Sequence, residues 1–222
     1  MKKKNAFTLA EVLITLGIIG IVAAMTLPTL IANYKRQEYS TRIKKFYSTL
    51  SQAIIRSEVD NGSAVYWTKA DQLKNDEGKV DYGANADWNK AFVEKYILPY
   101  LKYVNAGIKK WDGNNNYETI VLTDGSEFML HNGDCIDIIY DMNGLGKSPD
   151  KDGYDRFRFL MCFNDTKRNS FFGNKSKFFG AYGRCVNRDT ALTNCKNDPI
   201  RCSVLLECDG WEFKEDYPHK LW

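Results

Sequence analysis

The 222 residues, 44% hydrophobic and 27% charged, have the composition of a folded protein and exclude a disordered or low-complexity chain. Lys and Arg exceed Asp and Glu by 31 − 28 = +3, and Lys2, Lys3 and Lys4 account for that excess. The rest of the chain is formally neutral, so charge gives no footing for a nucleic-acid partner. The length suits one domain with a real core, or two small ones.

Residues 7 to 31 read FTLAEVLITLGIIGIVAAMTLPTLI and hold a single charged side chain, Glu11. As a helix they would run about 37 Å at 1.5 Å per residue, against a bilayer core of about 30 Å. Three readings compete. A plain signal anchor would tether whatever follows. A secretory signal peptide would be cut after Val22-Ala23-Ala24, leaving a chain that begins at Met25, but Glu11 interrupts the apolar core such signals need. The third reading gives Glu11 a partner. Cleavage between Ala6 and Phe7 creates an α-ammonium one helical turn from Glu11. When helices pack side by side, a neighbour's ammonium offsets the roughly 2.5–3.5 kcal/mol that a charge costs in an apolar span and helps set the register.

The segment Lys2-Lys3-Lys4-Asn5-Ala6-Phe7-Thr8-Leu9-Ala10-Glu11-Val12-Leu13-Ile14 resembles the class III signal of type IV pilins and type II secretion pseudopilins. The resemblance covers about 30 residues and implies several things. Ala6 and Phe7 form the cleavage and N-methylation site, Glu11 acts in processing and assembly, and Pro28 is the helix-kinking proline. Ala6 stands where the family usually has Gly, and Ala10 where a bulkier aliphatic is common. The implied partners are other pilin or pseudopilin subunits, prepilin peptidase and an inner-membrane assembly machinery. The implied location is the bacterial inner membrane, single-pass, with the head on the periplasmic or exterior side, and then an extracytoplasmic filament. Lys35, Arg36, Arg42, Lys44 and Lys45 follow the span, so counting basic residues does not orient it.

Helical periodicity continues past Pro28. Tyr39, Ile43, Phe46, Tyr47, Leu50 and Ile54 form one apolar stripe, and Asn61-Gly62 is a stop signal, so the spacing predicts a helix over 7–59. A polar loop over 68–86 is expected next. A helix over 88–104 follows, carrying Trp88, Phe92, Tyr96 and Tyr100, with Pro99 able to shorten it, and then a turn-rich break over 111–116. Strands are expected over 117–123 and 126–131, flanking the hairpin dipeptide Asp124-Gly125, then over 135–140 and 156–163. The fold class is α+β: a long N-terminal helix, transmembrane then amphipathic, packed on a small antiparallel sheet of about four strands. The expected organisation is a leader over 1–6, a helix over 7–60 with 7–31 as membrane or filament core, and a head over 61–222. Its tail from about residue 164 is expected to be irregular and disulfide-rich.

Cys135, Cys162, Cys185, Cys195, Cys202 and Cys208 form an even set, which in an exported chain points to disulfides of open connectivity. No pair has zinc-knuckle spacing, and His131 and His219 lie far apart in sequence.

The loop over 141–155 is the candidate calcium site, through Asp141, Asn143, Leu145, Asp150, Asp152 and Asp155. It is not an EF-hand. Leu145 falls where that motif needs an oxygen side chain, and Asp152 replaces its final Glu. It resembles the Asp-x-Asn-Gly…Gly-x-Asp-x-Phe loop of pseudopilin-like heads, some of which bind calcium. The other reading is an Asx-rich turn whose carboxylates cap backbone N–H groups.

No Gly-x-Ser-x-Gly elbow, phosphate-binding loop or His-Glu-x-x-His is present, and the chain reads as no enzyme. Glu118, Asp124 and Glu127 are expected to be solvated beside their hairpin and His131 to end a strand at the surface. The five tryptophans are expected to be core or rim rather than a sugar platform. The leading function is a structural subunit of a type II secretion pseudopilus or type IV pilus-like filament. The alternatives are a minor tip pilin that binds DNA, a surface or secreted cargo, and a membrane-anchored exported domain of other function.

Overall fold

A computed structural model of the chain describes residues 8–111 and 115–221. Helix α1 runs from Leu9 to Asn61, 53 residues, and continues through Pro28. Its first half stands clear of everything else: Leu13, Ile19, Met25 and Leu30 are all exposed. Burial begins at Ile43 and recurs at Phe46, Leu50, Ala53, Ile54 and Ser57, one stripe at helical spacing.

Helix α2 spans Tyr82–Tyr96. It begins six residues before the expected 88 because the Asp81 carboxylate caps it, accepting from the Ala84 N–H at 2.9 Å. It ends eight residues before the expected 104, where Pro99 enters a short 3₁₀ turn over Leu98–Tyr100. Proline has no N–H to continue the ladder and disfavours helix at the residue before it.

Among the described residues six strands form one antiparallel sheet in chain order: β1 Tyr103–Lys110, β2 Asn116–Leu122, β3 Glu127–Asn132, β4 Ile136–Asp141, β5 Arg156–Met161 and β6 Phe179–Ala181. Strands β1 and β6 add to the four expected. The tail from 164 is not irregular, as expected, but carries α3 Asp165–Phe172, α4 Arg188–Asn197 and α5 Cys202–Cys208 around β6. Asn164 and Asn187 cap α3 and α4 through their side-chain oxygens.

Alternation along the strands sorts the sheet into two faces. The inner face, including Ile120, Phe128, Leu130, Ile138, Tyr140 and Phe159, packs on α1, α2 and α5 in the main core. The Phe46 ring stacks on Tyr140 at 3.9 Å between centroids and contacts Phe159 at 5.1 Å and Phe128 at 5.5 Å. The outer face carries a smaller cluster of Trp111, Tyr117, Met129 and Ile139. Glu118 corrects one expectation: it lies on the inner face of β2, only 1% exposed, rather than solvated. Trp67 is likewise buried, its ring stacked 4.4 Å from Tyr96.

Three disulfides pair all six cysteines: Cys135–Cys162, Cys185–Cys208 and Cys195–Cys202. The first joins the residue before β4 to the residue after β5. The other two brace α4 and α5 in the tail. His219 comes close to Cys195 and Cys202, its Nε2–H donating to the Cys195 carbonyl at 2.9 Å. Those sulfurs are joined to each other, so they offer no thiolate to a metal.

Candidate assembly helix and acidic loop

Ala6 and Phe7, the expected cleavage and methylation site, lie outside the described residues. Glu11 is described. It occupies the third position of α1, and its carboxylate accepts from the Thr8 N–H and the Thr8 hydroxyl, each at 2.8 Å. The Glu11 N–H donates back to Thr8 Oγ1 at 3.3 Å. This is a capping box, and the spacing Thr8-x-x-Glu11 is its sequence signature, legible without any partner charge. The anionic side chain also sits at the positive end of the helix dipole. Within a single chain Glu11 therefore has a local task, and around it the helix surface is apolar and exposed. Pro28 is exposed on the same free half.

The basic residues past the span tie α1 to the head. Lys44 pairs with Glu212 at 2.6 Å, Lys45 with Asp124 at 2.7 Å, and Arg42 donates to the Met142 carbonyl at 3.1 Å. Each exposed pair contributes little by itself. Together they flank the Ile43–Ser57 stripe and hold the helix in one azimuth on the sheet.

The acidic loop joins β4 to β5. Asp141 is fully buried. One of its oxygens accepts from the Asn143 and Gly144 N–H groups at 3.2 and 2.9 Å, and the other from Arg156 Nε at 3.0 Å. Burial pushes its pKa up to about 6, with Arg156 opposing the rise and Asp155 adding to it. Asp150 shares the same guanidinium, at 2.6 Å. Asp152 takes Arg158 in a two-pronged pair at 3.1 and 3.0 Å. Asp155, also fully buried, caps the N–H groups of Asp150 and Lys151 at 2.9 and 2.7 Å. Leu145 offers no ligand side chain; it packs on the outer-face cluster. Gly144 has φ +90° and lies so close to the hairpin that a Cβ would meet the Gly125 carbonyl at 2.7 Å, so only glycine fits.

This donor set does not fit a calcium ion. Calcium gathers six to eight oxygens, whereas here the carboxylates converge on guanidinium groups and backbone N–H groups. Asn143 Oδ1 is the one loop side-chain oxygen that is buried without a partner among the described residues, and a single neutral oxygen makes no cage. The geometry favours the capped-turn reading, with Arg156 in the role of cation. Melting the protein in calcium and in chelator should give superimposable curves; a calcium-dependent rise in melting temperature would show that the loop can open its arginine pairs for an ion.

A free apolar helix with a capped glutamate at its start, leading into an α+β head, is the build of a type IV pilin-like protein processed as a prepilin. Residues 1–27 match the prokaryotic N-terminal methylation motif. Residues 29–221 match the family of unknown function DUF6613, and the chain belongs to that family. No curated protein and no solved structure matches the chain.

Proposed function

We propose that the chain is a structural subunit of a type II secretion pseudopilus or type IV pilus-like filament. In this reading α1 holds it in the bacterial inner membrane with the head on the periplasmic or exterior side. Prepilin peptidase removes the leader by cutting between Ala6 and Phe7, and the processed subunit passes with α1 into the filament. The observation that carries this reading is the free half of α1, whose large apolar side chains from Leu9 to Ile31 are all exposed and lie on every side of the helix. A helix apolar all round needs a membrane or neighbouring helices to cover it. Three disulfides in the head suit an oxidising compartment.

N-terminal sequencing of the membrane-extracted protein should return a chain that begins at Phe7. The role of Glu11 separates by substitution. Glu11→Gln keeps a capping box, since glutamine closes it too, but cannot pair with a neighbour's ammonium. Glu11→Val loses both. We expect both variants to be exported and cleaved, and both to be depleted from sheared filaments. Losing about 1.4 kcal/mol per subunit is already tenfold in incorporation. Wild-type incorporation of Glu11→Gln would reduce Glu11 to a helix cap.

A further inference from the structure

The outer face of the sheet, opposite α1, holds a cleft of about 280 Å³ that the filament reading does not use. Its floor is built by strand alternation across β2 to β5. Tyr117, His131, Asp137 and Arg158 all project to this side, and Met129 and Ile139 lie between them. Tyr82, the first residue of α2, and Trp111, just past β1, supply the walls. The Tyr82 ring meets Tyr117 edge-on at 5.6 Å and His131 at 6.1 Å. The Arg156 guanidinium lies 5.2 Å from the Trp111 ring centroid.

Charge and hydrogen bonding define what could enter. Asp137 faces His131 across the ladder at 3.3 Å, Asp152 holds Arg158, and Arg156 is neutralised by Asp141 and Asp150. Each charged side chain lining the cleft is thus already engaged within the protein, Asp137 by the His131 imidazole and the two arginines by carboxylates, so no arginine is left free to hold an anion. The walls still alternate acceptors on Asp137 and Asp152 with donors on Arg156 and Arg158, beside aromatic surface. A ligand that matches must donate and accept hydrogen bonds at neighbouring positions and present C–H faces to the rings. A small apolar molecule would strand the polar groups, and a lone anion would have to break an arginine–carboxylate pair. The volume lies near the lower end of small-molecule sites, about 300 Å³, which limits the occupant to one or two rings.

We infer that this cleft is a saccharide site, taking an uncharged hexose or N-acetylhexosamine residue. Trp111, counted among core or rim tryptophans from sequence, is its wall. A sugar-binding head would suit a subunit displayed at the surface or tip of an assembly. The site lies away from α1, so the inference stands or falls separately from filament incorporation.

The test uses the full chain in a polyoxyethylene detergent, because maltosides and glucosides carry the ligand chemistry themselves. Saturation-transfer NMR would be run with glucose, galactose, mannose and N-acetylglucosamine, and with glucuronate, inorganic phosphate and choline as charged comparators. At least one neutral sugar should give a saturable signal in the millimolar range or tighter. Tyr82→Ala should weaken it tenfold or more. Asp137→Asn, which keeps side-chain size, should do the same without changing the melting curve. No saturable neutral sugar, saturation unaffected by both variants, or binding confined to glucuronate, phosphate or choline would each overturn the inference.

Discussion

Phe46→Ala should destabilise the head by about 3–5 kcal/mol, the range for deleting a buried aromatic side chain. Phe46 is 2% exposed and lies within the buried stripe of α1, in contact with rings from β3, β4 and β5. The stacked Tyr140 contact adds directional energy of about 0.5–1.5 kcal/mol to simple burial. The hole left behind would sit between two rigid layers, neither free to collapse into it. For a chain of this size the loss corresponds to roughly 6–20 °C in melting temperature. Near-UV circular dichroism during melting would read it. Ile55→Ala, a residue 60% exposed on the opposite side of the same helix, serves as the comparison and should shift stability by less than about 0.5 kcal/mol. Equal effects from the two substitutions would mean that α1 does not dock on the sheet through this stripe.

The second large effect concerns Glu118. Its side chain lies among core residues beside α2, and one carboxylate oxygen is buried with no partner among the described residues. Burial pushes its pKa from 4.5 up to about 7; Lys90 on α2 pulls it down and Glu94 on the same helix pushes it further up. Across the ladders its neighbours are Ile108 on β1 and Leu130 on β3, neither of which carries charge. The fold therefore holds the proton more tightly than the unfolded chain does. The stability this contributes is complete below about pH 4.5 and is lost as pH rises through 7. Glu118→Gln removes the titration while keeping the shape. Relative to the parent, the variant should gain roughly 2–3 kcal/mol between pH 4 and pH 8. Urea unfolding of both proteins across that range gives the difference directly. A difference that stays constant with pH would show that Glu118 finds a charged partner in solution.

What was legible from sequence followed the range of the physics involved. The α1 stripe and the strands around Asp124-Gly125 are local patterns, a 3.6-residue period and a two-residue turn, and both were read to within a few residues. Strand β1 escaped because it is an edge: Val104 and Ile108 are exposed and Asn105, Lys109 and Lys110 break the alternation that marks a half-buried strand. Strand β6 is three residues long and has no pattern to show. The tail helices are short and polar, yet the caps Asn164 and Asn187 were visible signals that the glycine and cysteine content of the region obscured. Within the acidic loop, residues 141–155, Lys147 and Lys151 are the only basic residues beside four aspartates. The neutralising groups, Arg156 and Arg158, lie just past the loop. Only the register that sets Asp141 opposite Arg156 brings the first of them back over it.

The disulfides have a mechanical consequence for a protein that would work in a filament under load. Cys135–Cys162 closes a span of 27 residues and Cys185–Cys208 one of 23, while Cys195–Cys202 lies inside the latter. Tension applied at the ends of the chain passes through the bridges and bypasses the polypeptide they enclose. At about 3.3–3.6 Å per extended residue, the oxidised head would lengthen by roughly 170 Å less than the reduced chain. The enclosed portions include the acidic loop, the whole of β4 and β5, and both C-terminal helices. They would keep their ends together even if the surrounding sheet were pulled apart, so a stretched head would retain two short tethered loops from which to re-form.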